Sequence, residues 1–203
     1  MRAVIIGNGN IEDYGYIRGL IKSGDTVICA DGGLRHAAAM GIRPDIAIGD
    51  FDSSERADGI ETYEFPVRKD CTDGELAVEY AVDKGFSEIL LLGMTGNRID
   101  HMLTNIFLIF KGERITLADE HNEIYGITGG EGLTLLGKKG KTLSIIPVNG
   151  DLAGIVTEGL EYPLRNETLY FGRGRGNSNV VTADVCSIRA KSGMAAVIVN
   201  NGE

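Results

Sequence analysis

No stretch of the 203-residue sequence approaches the roughly 18 consecutive apolar residues that a membrane-spanning helix needs. A membrane is therefore not expected as a partner. Basic residues are in the minority: 20 Lys and Arg stand against 29 Asp and Glu, for a formal net charge of −9. Such a chain lacks the broad positive surface that drives non-specific nucleic-acid binding. The RGRG at 173–176 places two arginines in a Gly-rich turn and reads as a loop, so no nucleic-acid partner is expected. Cysteine is scarce. Cys29, Cys71 and Cys186 form an odd, widely spaced set that gives neither a disulfide framework nor a zinc pattern. The three histidines are scattered, without HxxxH spacing, which argues against a structural transition-metal site. The opening MRAVIIGNGN has a single basic residue and reads as a first strand rather than a signal peptide. A cytoplasmic protein is the expectation.

The first half of the chain alternates short apolar runs with helical spacing. Strands are predicted at 2–7, 26–31, 45–50, 61–66, 88–93 and 114–119. Helices are predicted at 11–24, 32–40, 72–84 and 100–111, the third opened by Thr72 and Glu75 in capping-box positions. This alternation predicts an α/β fold with a parallel sheet covered on both faces. After about residue 120 the helical period disappears. NEIYGIT, GLTLLG, KTLSIIPV, ETLYFG, ADVCSIRA and MAAVIVN are strand-length runs between Gly, Asn, Asp and Lys turns, the pattern of an all-β sandwich or barrel. The boundary is placed near Ala118–Glu120, and 151–158 reads as a loop with no distinctive pattern.

Two phosphate-loop look-alikes fail on context. GLTLLGKK (132–139) has Lys139 where a P-loop needs Ser or Thr, and a strand follows it instead of a helix. A hairpin turn through Gly137–Gly140 is the better reading. GNGNIE (7–12) starts like a dinucleotide fingerprint but has Glu12 in the third glycine's place, so its GxG points only weakly to a nucleotide near that loop.

Chemistry concentrates at three strand ends. GDFDS (49–53) follows the third strand. In extended chain, residues two apart point the same way, so Asp50 and Asp52 project together, either as a solvated acidic turn or as ligands of Mg²⁺, which suits hard oxygen donors. KDCTDGE (69–75) leads into a helix. Thr72 is its cap. Asp73 either favours the helix dipole or brings a carboxylate to the same sheet edge, and Lys69 is either an exposed loop lysine or a phosphate partner. GNRIDHMLTN (96–105) follows the fifth predicted strand. Arg98 has the planar, always-charged fork that suits phosphate. Asp100 either caps the next helix or joins the site. His101 reads as a structural hydrogen-bonder that shares a helix face with Asn105. Carboxylates for a metal beside cations for phosphate are the mixture that phosphoryl transfer requires.

ADGG (30–33), PDIAIGDFDS (44–53), KDCTDGELA (69–77), GNRIDHMLTNI (96–106), ITLADEHNEIY (115–125), SIIPV (144–148), GLEYPL (159–164) and GRGNSN (174–179) together resemble the thiamine pyrophosphokinase family. They occur in the family's order across nearly the whole chain. The resemblance implies an α/β N-terminal domain (1–119) with a mainly parallel, Rossmann-like sheet that binds ATP. It also implies an all-β C-terminal sandwich (120–203) that binds thiamine and dimerises. The active site is then shared between the α/β domain of one subunit and the sandwich of its partner. Asp50, Asp52 and Asp73 are implied to carry Mg²⁺, with Asp73, Arg98 and Asp100 at the reaction centre. Asp31, Lys69, Thr72 and Asn105 are assigned to ATP, and Asp100, Asn177, Ser178 and Asn179 to thiamine. Asn97 and Cys71 depart from the usual pattern without touching a proposed charge. The implied reaction is attack of the thiamine hydroxyl on the β-phosphorus of ATP, with loss of AMP and with Asp73 or Asp100 as proton acceptor. Tyr162 is either a wall of the thiamine site or a strand core residue. Two other readings are a hydroxymethyl-pterin pyrophosphokinase and a non-catalytic nucleotide- or thiamine-binding regulator.

Overall fold

Ala3–Ile6, Val27–Ala30, Ile46–Gly49 and Ile89–Leu92 are buried residue after residue, with no alternation. A strand of that kind must be covered on both faces. The computed structural model describes residues 1–49, 60–64, 70–112 and 114–202, and divides into two compact units, Met1–Glu120 and His121–Glu203.

The first unit runs β1 (Arg2–Ile6), α1 (Tyr14–Leu20), β2 (Thr26–Ala30), α2 (Gly33–Ala39), β3 (Ile46–Gly49), β4 (Glu61–Glu64), α3 (Asp73–Asp83), β5 (Glu88–Leu92), α4 (Ile99–Phe107) and β6 (Ile115–Ala118). The strand order is β6-β5-β1-β2-β3-β4, and each of these pairings is parallel. The chain winds outward from β1 through β4, then returns to the other side of β1 as β5. The loops after β1 and β5 thus diverge at the point where the order reverses, the usual place for a ligand crevice in an open α/β sheet. On one side of the strands, Val4, Ile6, Cys29, Leu90 and Leu92 share a core cluster with Ile17 of α1 and Ala37 of α2. Burial pushes the Cys29 thiol up to about 12, so it behaves as an inert core residue.

The helices are shorter than the sequence pattern suggests. α1 starts only at Tyr14, because Asp13 takes the N-cap and accepts from Tyr16 N. It stops at Ile21, whose backbone is extended. Half of the predicted capping box forms at α3, Thr72 Oγ1 accepting from Glu75 N at 3.2 Å. The Glu75 carboxylate is drawn to Lys111 Nζ at 2.8 Å.

One ion pair ties β1 to the turn before β2. Arg2 Nε donates to Asp25 Oδ1 at 2.9 Å and Nη2 to Oδ2 at 2.5 Å, with the Asp25 side chain only 6% exposed. Burial alone would push the Asp25 carboxyl up. The Arg2 guanidinium and the Lys22 N–H outweigh it and hold it below its ordinary range. Removing one partner of a buried pair strands the other charge. Asp25→Ala is expected to cost about 3 kcal/mol at neutral pH, read by urea denaturation. A carboxyl with a depressed folded pKa stabilises above its unfolded pKa and loses that contribution as pH falls through the folded value. The gap between wild type and variant should therefore close in acid, below the ordinary aspartate range.

The second unit contains β7 (Asn122–Thr128), β8 (Gly132–Leu136), β9 (Thr142–Pro147), β10 (Leu152–Glu158), β11 (Arg165–Leu169), β12 (Asn179–Val180), β13 (Val185–Arg189) and β14 (Met194–Asn200). They form two antiparallel sheets, β12-β9-β14-β7 and β11-β10-β13-β8. Side chains from both sheets enclose one core: Leu143, Ile145 and Val197 from the first meet Leu135, Ile155, Leu169 and Ile188 from the second.

Where a loop is expected at 151–158, the chain forms a strand from Leu152 to Glu158, β10. Its alternation is interrupted by a register shift around Gly154, which adopts φ +65°, the left-handed geometry a bulge needs and glycine permits. The turn through Gly137–Gly140 is not a hairpin, because β8 pairs with β13 while β9 pairs with β14 and β12. It carries the chain from one sheet to the other.

Candidate active site

A cleft of about 520 Å³ opens at the carboxyl edge of the first sheet. Its walls are the loop after β1 (Gly7, Asn8, Gly9, Asn10), the end of β2 (Ala30, Asp31) and the entry to α3 (Cys71, Thr72, Asp73, Gly74). The loop after β5 (Met94 to Asn97) and one face of α4 complete it. Arg98, just before α4, and His101, Met102 and Asn105 within it line the cleft, His101 and Met102 lying four and three residues from Asn105 on one helical face. A second hollow of about 390 Å³, lined by Val82, Phe86, Ser87, Ile89, Gly112 and Arg114, has no carboxylate in its wall. The first hollow is the one that carries carboxylates, from Asp31 and Asp73.

Five of the sequence-predicted residues converge on this cleft: Asp31, Thr72, Asp73, Arg98 and Asn105. Asp31 adopts φ +46°, a left-handed conformation that costs a non-glycine residue energy and recurs at ligand sites. Its N–H donates to Ile48 O at 2.8 Å, and its carboxylate accepts from Asn8 Nδ2 at 3.3 Å. Asn105 Nδ2 donates to Met94 O at 2.9 Å, which fixes α4 against the loop after β5. The Thr72 hydroxyl serves as the α3 cap.

Arg98 and Asp100 form a pair. Arg98 Nη2 reaches Asp100 Oδ2 at 2.6 Å and Nε reaches Oδ1 at 3.2 Å, and both side chains are well exposed. Asp100 does not cap α4. The N-cap is Arg98, in extended backbone, and Asp100 sits in the first helical turn. The Arg98 guanidinium, with the His101 N–H, pulls the Asp100 carboxyl down to about 2. While that pair stands, Asp100 is a weak base.

Asp50, Asp52 and Lys69 lie outside the described residues. Among the described residues, no three His, Cys, Asp or Glu side chains group closely enough to hold a metal ion. One observation fits a cation here: a Cβ at Gly49 would stand 3.6 Å from Asp73 Oδ1. The Asp73 carboxylate thus reaches the residue bonded to Asp50. Mg²⁺ is commonly held by one or two carboxylates, with phosphate oxygens and water completing the shell, and Asp73 in a cleft with Arg98 suits that donor set.

Asn177, Ser178 and Asn179 belong to the second unit. Asn177 and Ser178 are exposed, and their backbone N–H groups are held by Gly174 O and Ser144 Oγ. Asn179 has a different task. Its Oδ1 accepts from Tyr162 N at 3.0 Å and Val180 N at 2.9 Å, and its Nδ2 donates to Tyr162 O at 2.8 Å. That amide positions Tyr162, which is 66% exposed and so is not a core residue.

The sequence reading missed Asn8, Asn10 and Thr95 as cleft residues. The GxG after β1 was the one signal for the first two. Three N–H groups of this loop are taken up within the protein: Gly7 N donates to Leu92 O, Gly9 N to Gly93 O and Asn10 N to Thr95 O, at 2.8, 2.6 and 2.8 Å.

A crevice at the strand-order reversal of a parallel α/β sheet, lined by carboxylates, an arginine and amides, places the first unit among the α/β folds that bind ligands at that edge. The sequence matches two family models, "Thiamin pyrophosphokinase, catalytic domain" over residues 17–118 and "Thiamin pyrophosphokinase, vitamin B1 binding domain" over residues 131–195. The chain belongs to the thiamine pyrophosphokinase family. It is 34% identical over 139 residues to the thiamine pyrophosphokinase of Bacillus subtilis (strain 168), and the match spans 62% of this chain and 64% of that protein. The crystal structure of thiamine pyrophosphokinase from Bacillus subtilis superposes with a TM-score of 0.90 at 26% identity, covering all of both chains. That from Geobacillus thermodenitrificans gives 0.87 at 26% identity, covering 100% of this chain and 99% of the other. Among the described residues no helix is long and apolar enough to cross a membrane.

Proposed function

We propose that this protein transfers the terminal diphosphate of ATP to the hydroxyl of thiamine, giving thiamine diphosphate and AMP. The observation that carries the reading is the convergence of Asp31, Asp73, Arg98 and Asn105 on one cleft at the carboxyl edge of the sheet, in a chain matched by both family models. The first unit acts as a Rossmann-like ATP-binding catalytic domain and the second as the thiamine-binding domain.

In the reaction the thiamine oxygen bonds to the β-phosphorus, the bond from that phosphorus to the α,β-bridging oxygen breaks, and AMP departs. Asp73, with Asp50 and Asp52, would hold Mg²⁺, which would offset the negative charge of the phosphate oxygens. Arg98 moves from Asp100 to the transferring group and stabilises its charge through a bidentate contact. That exchange frees Asp100. Without its guanidinium partner the carboxylate regains basicity and accepts the hydroxyl proton. Asp31 and Asn105 set the nucleotide side of the cleft. The exposed Asn177 and Ser178 meet thiamine across a homodimer interface, and Asn179 holds Tyr162 beside them. A homodimer is supported by α4, where Ile99, Leu103 and Phe107, four apart on one face, are 65%, 47% and 49% exposed. We place the reaction in the cytoplasm.

The test is acceptor-dependent AMP release. With Mg-ATP, thiamine should support AMP formation, while a hydroxymethyl-pterin or no acceptor should not. Release that ignores thiamine would overturn the reading, and no release with any acceptor would favour a regulator. Arg98→Ala should lower kcat about 10²- to 10³-fold, the usual effect of losing a charge-stabilising donor, and Arg98→Lys should recover little because a point charge cannot replace the fork. Steady-state turnover at saturating thiamine reads both.

A further inference from the structure

The loop Gly7–Asn10 is held on the β5 side by its own N–H groups. On the other side it is held by α2 through two consecutive carbonyls. Arg35 Nη2 donates to Asn8 O at 3.2 Å, and His36 Nε2 lies 2.8 Å from Gly9 O. His36 is only 3% exposed and is one of just two buried polar residues among those described. Its other ring nitrogen, Nδ1, is 2.9 Å from the Tyr14 hydroxyl. A carbonyl can only accept, so Nε2 carries the proton and donates. In the neutral ring Nδ1 then accepts from the Tyr14 O–H. Burial lowers the His36 pKa and favours that neutral form. The result is a directed chain from α1 through α2 to the cleft loop, in which every polar atom has one partner.

We infer that His36 is a positioning residue for nucleotide binding, acting through the Gly9 carbonyl to hold Asn8 and Asn10 at the cleft wall. The inference rests on the assignment of ATP to this cleft. The contact is indirect, because His36 does not line the cleft while Gly9 and Asn8 do. Asn8 in turn carries the effect to Asp31 through its amide. Without the imidazole, the half-buried Gly9 carbonyl and Tyr14 hydroxyl lose that partner, and the loop relaxes toward water to satisfy them. A small displacement there misplaces two amides and a carboxylate at once.

Three variants test this: His36→Leu, His36→Gln, whose amide can still donate to Gly9 O, and Tyr14→Phe. KM for ATP and for thiamine are measured separately, well below each variant's Tm, and affinity for a non-hydrolysable ATP analogue is measured by calorimetry. In His36→Leu, KM for ATP and the analogue Kd should both rise about tenfold, the equivalent of one positioning hydrogen bond. KM for thiamine should stay within about twofold, a change too small to reflect a lost contact. His36→Gln should recover most of the loss, and Tyr14→Phe should show a smaller rise of the same kind. Unchanged ATP binding in folded variants, or equal losses for both substrates, would overturn the inference. If His36→Leu does not fold, Tyr14→Phe, which removes one hydroxyl, decides it by the same readouts. Calorimetry keeps the two claims apart: an analogue that binds wild type and weakens in the variants supports His36 even if no thiamine diphosphate forms.

Discussion

Asp73→Asn should lower turnover about 10³-fold, the scale of losing a principal electrostatic group at a reacting phosphate, while leaving the fold intact. The exchange keeps the side chain's shape and removes one charge. Asp73 is the first residue of α3, and the helix keeps its Thr72 cap. What the helix loses is an acid in its first turn, worth about 0.3–1 kcal/mol, with Glu75 still present there. Activity and stability therefore separate: kcat collapses while the Tm barely moves. The Asp73 carboxylate also lies against Gly49, so its charge acts where the chain enters the GDFDS segment. The Mg²⁺ concentration needed for half-maximal rate should rise in the variant. Turnover close to wild type would remove Asp73 from the reaction.

Gly33→Ala should be the most damaging small substitution for stability. A Cβ at Gly33 would stand 2.0 Å from Ile6 O and 2.8 Å from Ile6 C. Both are backbone atoms of a buried central strand and cannot swing aside. The start of α2 must lift off β1, at about 3 kcal/mol, the upper end for overpacking. For a chain of this size that is a Tm decrease of roughly 10 °C. The same displacement drags His36 from Gly9, so ATP binding should weaken as well. Gly19→Ala is the control. Gly19 sits in α1 with nothing within 4 Å of its Cβ position, and alanine there should stabilise by about 0.5–1 kcal/mol through helix propensity. Opposite signs for one chemical change, read by thermal denaturation, would show that contact with β1 decides the outcome.

How far the sequence could be read follows from the range of the interactions involved. The α/β part and the β-rich part were legible because period and burial are local properties. Val4 to Ile6 and Leu90 to Leu92 announce a doubly covered sheet within a few residues. The Thr72 cap was legible for the same reason, since its partner Glu75 is three residues away. β10 was not, because a left-handed Gly154 breaks its alternation and its pairing with β11 shifts register there. Nor was the turn at 137–140, since which strands pair is a long-range matter. At the site, strand ends followed by helices located Asp73 and Arg98, whereas Asp31 and Asn105 came only from the family resemblance. His36 stayed hidden in an alanine-rich helix, because its partners Tyr14 and Gly9 are 22 and 27 residues away. The Arg98–Asp100 pair was missed because Arg98 is the extended cap residue, where helical i, i+4 spacing rules do not apply.

The most direct measurement is a crystal structure of the protein with Mg²⁺, thiamine and a non-hydrolysable ATP analogue. The triphosphate should lie between the loop after β1 and the start of α4, with Asp73 on the ion and Arg98 turned from Asp100 to a phosphate oxygen. A triphosphate bound outside this cleft, or an ion that Asp73 does not touch, would contradict the account.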